Sequence, residues 1–345
     1  MLVNKLEING FRNLSGRCFA FGPEKNLIFG ANGSGKTSII EALFLLGFGK
    51  SFLPVGRRDL VQFNAPGFFL SAEVLGAPGA STVSALLERS LSLRLNGERA
   101  PLVQVSRHLY PLFFSHYSYS LAIDYTPYLR RLVNRFIYGL NSLYFHDLLR
   151  YNHALKQKNH LLKKLARPIQ QSELSSWNAL LAESGFRVME KRMAFIERLN
   201  AASGEIFGED LRIVYQPALS AGPPFAASAL LAEFDRARPA EVQCRRALTG
   251  PQRDRFEITM AGRKLPLFSS GEKKKYLLMV YMAYIELFRR ARGEHPVFLI
   301  DDYDAAMDAA NLDFLLDHFP AMQLIATSVA ANERFASRIE LSKEN

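Results

Sequence analysis

Cysteine is scarce: Cys18 and Cys244 are the only two in 345 residues. Two thiols exclude a disulfide scaffold and a four-thiolate zinc site, and both read as packing residues in a reducing compartment. Long apolar runs are missing too. The longest candidates, Met279–Leu287 and Val297–Ile300, fall well short of the ~18 residues a bilayer-spanning helix needs. Lys5 and Glu7 interrupt the first ten residues, so the N-terminus is not a secretory signal. These absences predict a soluble, cytoplasmic chain with no membrane partner. Acidic charge is also short: 33 Asp+Glu against 43 Lys+Arg leave +10. That excess favours a polyanionic partner over a small neutral substrate. What is present is enough apolar residue, 48%, to fold a core, over a length that suggests about two domains.

The first 110 residues read as short strands around one helix. Leu2–Ile8 alternates apolar and polar, Asn26–Phe29 is a brief apolar strand, and Thr37–Leu46 is a helix. Phe68–Val74, Thr82–Glu88 and Leu91–Leu95 read as further strands, with Asn96-Gly97 a hairpin turn leading to Pro101–Val103. From Pro127 to Lys164 apolar residues recur at three- and four-residue steps, a long amphipathic helix with a break near Gly139. Arg167-Pro168 is its expected stop. A second helical block, Leu174 to Leu199, suggests an antiparallel arm. Residues 126–200 hold 13 Lys+Arg and 5 Asp+Glu, so most of the chain's positive excess sits there. Ala218–Ala232 reads as a loop entering a helix. Strands return at Leu211–Tyr215, Phe256–Met260, Val297–Ile300 and Leu324–Ala326, with helices at Glu272–Arg290 and Ala309–His318.

Three motifs carry chemistry. Gly30-Ala31-Asn32-Gly33-Ser34-Gly35-Lys36-Thr37, followed by Ser38, fits a phosphate-binding loop between a strand and a helix. Its glycines let backbone N–H groups face phosphate oxygens, and the helix adds its positive end. Lys36 suits the β- and γ-phosphates, and the Thr37 hydroxyl suits Mg²⁺. Val297–Ile300 then delivers Asp301 and Asp302: Asp301 as a Mg²⁺ ligand, Asp302 to orient or deprotonate a water. A plain surface turn would look the same in isolation. Ser269-Ser270-Gly271-Glu272, ahead of three lysines and an apolar helix, is either an anion site at a helix start or an ordinary helix cap.

The order of these motifs resembles the ATP-binding-cassette ATPases: phosphate loop, serine-glycine signature, apolar strand with carboxylates. Smaller matches resemble the RecF family of bacterial recombination-repair ATPases. They are Lys5–Leu14, Arg130-Arg131, Tyr151–Asn159, Trp177, Gly250–Asp254 and Asp308. The sequence departs from that family's usual pattern at Glu272, Gln252, Arg255, Asn134 and the Tyr303–Asp308 loop. The resemblance implies an α/β ATP-binding-cassette head, residues 1–115 with 240–345, interrupted by a helical arm at 116–239.

It further implies a homodimer that sandwiches two ATPs with Mg²⁺. Lys36, Thr37 and Asp301 would hold each nucleotide from one side, and Ser269, Ser270 and Gly271 of the other copy from the opposite side. Asp308 would lie at the dimer seam. Hydrolysis, with Asp302 and Lys36 as catalytic residues, would be weak and DNA-dependent and would release the dimer. DNA at single-strand/double-strand junctions is the implied ligand, with RecR and RecO as partners. Arg130, Arg131, Arg135, Lys156, Lys158, Lys163 and Lys164 are the candidate DNA contacts, each of which could equally be a solvated helix face. A transporter ATPase fits poorly, given the basic block of 75 residues. A repair head with very long coiled-coil arms has no room. A passive DNA binder with a degenerate ATP site remains open.

Overall fold

The computed structural model describes residues 1–342 except 125, 165–168, 209 and 220–225. The chain begins with β1 (Leu2–Asn9), β2 (Arg17–Ala20), β3 (Lys25–Gly30), α1 (Lys36–Phe48), β4 (Phe68–Gly76), β5 (Gly79–Leu87), β6 (Leu91–Leu95) and β7 (Glu98–Arg99). Next come α2 (Leu102–His108), β8 (Pro111–Ser115), α3 (His116–Asp124), α4 (Thr126–Leu140), α5 (Ser142–Lys164) and α6 (Ile169–Phe207). Then follow β9 (Leu211–Gln216), α7 (Ala227–Cys244), β10 (Arg255–Met260), β11 (Arg263–Lys264) and α8 (Ser270–Arg292). The last elements are β12 (Val297–Asp301), α9 (Tyr303–Ala306), α10 (Ala309–His318), β13 (Leu324–Ser328) and β14 (Ser337–Leu341). They form two compact units: Met1–Ser120 with Ser269–Asn345, and Leu121–Phe268.

The first unit holds two sheets. One is antiparallel, β2-β1-β4-β5-β6-β7; the other is parallel, β14-β3-β13-β12-β8. Parallel strands are covered on both faces and so read as unbroken apolar runs; all five residues of β12 and of β13 are buried. Helix α1 touches strands of both sheets. That explains why Ile39, Ile40, Leu43, Phe44, Leu45 and Leu46 bury all of its sides, where a surface helix would bury one stripe. Four strands of this unit escaped the pattern reading: β2 and β14 are short edge strands, β7 has two residues, and β8 begins at a proline.

The second unit is helical with a small antiparallel sheet, β11-β10-β9. On α4 the apolar stripe Leu129, Leu132, Val133, Phe136 and Ile137 is buried, as its three- and four-residue steps require. α4 ends at Leu140, and the Asn141 N–H still bonds back to the Ile137 carbonyl. The expected long helix is therefore two, broken next to Gly139.

Other expectations are corrected. Pro101–Val103 is the start of α2, with Pro101 as its N-cap; Asn96-Gly97 turns only into the two-residue β7. Residues 240–268, expected in the head, lie in the second unit because β10 pairs along its whole length with β9. Cys18 and Cys244 are exposed, not packed. The expected stop at Arg167-Pro168, and part of the Ala218–Ala232 loop, lie outside the described residues.

Candidate nucleotide site

In open parallel sheets, ligands bind at the carboxyl ends of the strands. β3, β13 and β12 lie side by side here, and their carboxyl ends carry the phosphate-loop motif, Thr327 and Asp301. The chain leaves β3 at Gly30 with φ 148°. A Cβ there would stand 2.2 Å from the Leu341 carbonyl oxygen of β14, so this position needs glycine. Gly35, at φ 103°, is the N-cap of α1. The buried Lys36 folds back over the loop, its Nζ donating to the Gly30 and Ala31 carbonyls at 2.7 and 3.0 Å. Ser34 Oγ is buried in the loop with no partner among the described residues. Ser38 Oγ donates to Asn13 Oδ1, and Asn13 Nδ2 donates to the Gly33 carbonyl.

Thr37 and Asp301, 264 residues apart in sequence, meet here. Thr37 Oγ1 lies 3.1 Å from both Asp301 carboxylate oxygens. Thr327 Oγ1 donates to Asp301 Oδ1 at 2.8 Å and accepts from the Asp302 amide at 2.8 Å. Burial pushes the Asp301 carboxyl up to about 6; Thr327 opposes this and the neighbouring Asp302 adds to it. Asp302 itself has φ 49°, left-handed, and caps α9. Strain of this kind in a non-glycine residue concentrates at functional sites.

The donor set fits Mg²⁺. Thr37 and Asp301 are hard oxygen ligands beside an unpartnered buried hydroxyl and a lysine, the arrangement in which Mg²⁺ is shared with nucleotide phosphates. Among the described residues no group of three or more His, Cys, Asp or Glu forms an all-protein cage. A cation here would therefore rely on the nucleotide for further ligands.

The serine-glycine turn is a separate feature. Ser269 caps α8, and with Glu272 it forms a reciprocal capping box. Ser269 N and Oγ both donate to Glu272 Oε2, at 2.9 and 2.6 Å. Both bonds go to one oxygen, which a glutamine amide could also supply, so the departure at Glu272 has no structural explanation here. From the next turn of α8, Lys274 Nζ bonds the Ala305 carbonyl of α9 at 2.7 Å, and His116 Nδ1 reaches the same oxygen at 3.0 Å. Asp308 is the N-cap of α10, accepting from the Asn311 amide at 2.8 Å. Arg12 forms a two-point ion pair with Glu41 of α1 at 2.7 and 2.9 Å.

Of the expected DNA contacts, Lys158 is corrected. Lys158 is fully buried, 2.8 Å from Glu241 and over the Phe234 ring; it is a core ion pair. Burial pushes its ammonium down. Arg130 is half-buried and donates to the Asp254 carbonyl at 3.0 Å. Lys156, Lys163, Lys164 and Arg131 are exposed, and Arg135 is half-buried. The sequence reading also missed the centre of this unit. Arg192 donates to Asp254 Oδ2 at 2.5 Å, to the Pro251 carbonyl at 2.8 Å and to Asn134 Oδ1 at 3.0 Å. Tyr144 donates to the same Asn134 oxygen, and Tyr215 to Asp254. Tyr151 donates to Gln252. Two family departures, Asn134 and Gln252, thus sit in or beside one buried network. Thr327 was missed as well; the signal was an apolar strand ending in hydroxyls next to one ending in carboxylates.

A family profile described as the RecF/RecN/SMC N terminal domain matches residues 2–336. The DNA replication and repair protein RecF of Geobacter metallireducens is 30% identical over 358 residues, covering 97% of this chain and 95% of that one. Its counterpart in Acetivibrio thermocellus is 28% identical, covering 95% and 93%. Among solved structures, a recombination mediator RecF–ATPrS of the RecFOR pathway superposes with a TM-score of 0.89 at 22% identity, covering 99% of this chain and 96% of that one. An Smc head domain from Pyrococcus furiosus gives 0.51 at 17%, covering 95% and 89%. No helix among the described residues is long and apolar enough to cross a membrane. With its phosphate loop, its carboxylate strand and these matches along nearly its whole length, the chain belongs to the RecF family of SMC-like, ATP-binding-cassette DNA replication and repair ATPases.

Proposed function

We propose that this chain is an ATP-dependent DNA-binding protein of recombinational repair, acting as a homodimer that closes around two ATPs on DNA. The observation that carries the reading is the meeting of Thr37 and Asp301 below Lys36 at the carboxyl ends of β3 and β12. In this reading Lys36 leaves the Gly30 and Ala31 carbonyls for the β- and γ-phosphates. Ser34 and the loop amides line the phosphates. Thr37 and Asp301 hold Mg²⁺, which when bound offsets charge on the phosphates. Asp302 orients the attacking water. Ser269 and the amides near Gly271 grip the γ-phosphate bound by the other copy, with Asp308 at the seam. The terminal phosphate then contacts both copies only before hydrolysis, so slow turnover acts as a release switch.

The finer role follows the relatives. Their description as DNA replication and repair proteins, and the RecFOR pathway of the structural neighbour, support DNA as the ligand; single-strand/double-strand junctions or gaps are the form of it that the reading adds. Those descriptions also support recombinase loading as the task and RecO and RecR as partners. A passive DNA binder with a degenerate ATP site is the second reading, favoured by the hold of Glu272 on Ser269.

Sedimentation of the slow-hydrolysing Asp302→Asn variant decides between them. Dimers with ATP and monomers with ADP are expected, together with loss of nucleotide-dependent DNA binding in Lys36→Met. Monomers under both nucleotides, with DNA affinity indifferent to Lys36→Met, would establish the passive reading.

A further inference from the structure

The second unit contains a basic hollow that the nucleotide site does not use. Two cavities of about 580 and 610 Å³ share Leu155, Asn159 and Lys163 of α5. Arg245 and Arg246, at the turn ending α7, and Arg253 wall the first; Lys156 and His160 wall the second. Among the described residues no carboxylate and no Phe, Tyr or Trp lines either. The five Lys and Arg side chains are exposed, and none makes an ion pair with a described residue.

Elsewhere in the unit three buried or half-buried acids are held by other bases. Asp147 takes Arg187 and Lys191, Asp254 takes Arg192, and Glu241 takes Lys158. The hollow is also held rigid. Arg245 sits at φ 55°, its N–H and that of Arg246 bonded back to the last turn of α7. The Ala247 amide donates to Asn159 Oδ1 at 2.7 Å, and the Leu248 amide to Glu241 at 2.9 Å. A fixed cluster of like charges repels itself, a cost that a bound polyanion offsets.

We propose that this hollow binds successive phosphodiester groups of a nucleic-acid strand, whatever nucleotide the head holds. With no Phe, Tyr or Trp in the lining, base stacking contributes little, so recognition runs through the backbone, independent of sequence and sensitive to salt. The inference extends the DNA-binding part of the proposed function but does not depend on its ATP switch.

The test uses the full chain without nucleotide. Fluorescence anisotropy follows binding to a labelled single-stranded oligonucleotide and to its duplex across a salt series. The Arg245→Gln/Arg246→Gln double variant should bind roughly ten-fold more weakly, with a log-affinity against log-salt slope shallower by about 2, near 1 per phosphate-contacting residue. Lys163→Gln, which leaves the α7 turn intact, should lower the slope by about 1. The wild-type chain should bind the oligonucleotide alike without nucleotide and with ADP. If affinity and slope match wild type in both hollow variants, the proposal fails, and the failure leaves the ATP switch untouched. Capture of an acidic protein segment by the hollow, with DNA binding unaltered, would also overturn it.

Discussion

Both units bury charge, but they treat it differently. In the second unit Asp254 accepts from Arg192, from Tyr215 and from the Ala218 amide, and Arg192 reaches three acceptors besides Asp254. Such a network is satisfied internally and locks one arrangement. In the first unit Lys36 rests on two backbone carbonyls, Ser34 has no partner among the described residues, and burial lifts Asp301 toward neutrality. Those groups carry an electrostatic cost that their neighbours only partly offset. Buried charge that is fully paired holds a fold; buried charge that is under-paired waits for a ligand.

The sharpest way to break this contrast is to remove one member of the paired network. Arg192→Leu leaves Asp254 buried and uncompensated, and should cost about 3–5 kcal/mol in urea unfolding. A loss below about 1 kcal/mol would mean that the network is not structural. A smaller effect should come from Glu286 on α8, the head's own carboxylate shared by two arginines. Bonds from Arg289 and then Arg290 hold its carboxyl down at about 2 despite partial burial. Because the folded value is depressed, its contribution is present above the unfolded value of 4.5 and fades as pH falls toward 2. With both arginines about half exposed, Glu286→Gln should cost only about 1 kcal/mol at pH 7. Urea melts at pH 7 and pH 4 should show that cost shrinking at the lower pH; a cost that grows would contradict the assigned cause. The smallest effect on folding should be that of Lys36→Met. Without nucleotide it should shift unfolding by less than about 0.5 kcal/mol, while equilibrium dialysis shows ATP binding lost. A large destabilisation would place Lys36 with the structural charges and erase the contrast.

Some of this was legible in the residue order. The phosphate loop and the carboxylate strand announce themselves because their chemistry is local: glycines where φ must be positive, then lysine and hydroxyl, and an apolar run ending in acid. α10 spans Ala309–His318, the helix read from the residue order. What stayed hidden is pairing across distance. Lys158 sits on a helix rich in exposed lysines, and only Glu241, 83 positions later in the chain, makes it a core residue. Arg192 and Asp254 each look like surface charges until α6 and the Gly250–Asp254 segment meet. Thr327 gains meaning only when β13 lies beside β12. β14 was missed because an edge strand of alternating exposure carries little apolar signal.

That edge strand sets the timing of the whole nucleotide site. β3, which launches the phosphate loop, is hydrogen-bonded on one side to β13 and on the other to β14, and Gly30 nests against Leu341 itself. A nascent polypeptide that has made the loop must still synthesise some 300 residues before either neighbour exists. Until then the loop lacks the strands that flank β3, so a ribosome-bound or truncated chain without β13 and β14 is expected to hold nucleotide more weakly. The loop gains its frame only when both β13 and β14 have been made.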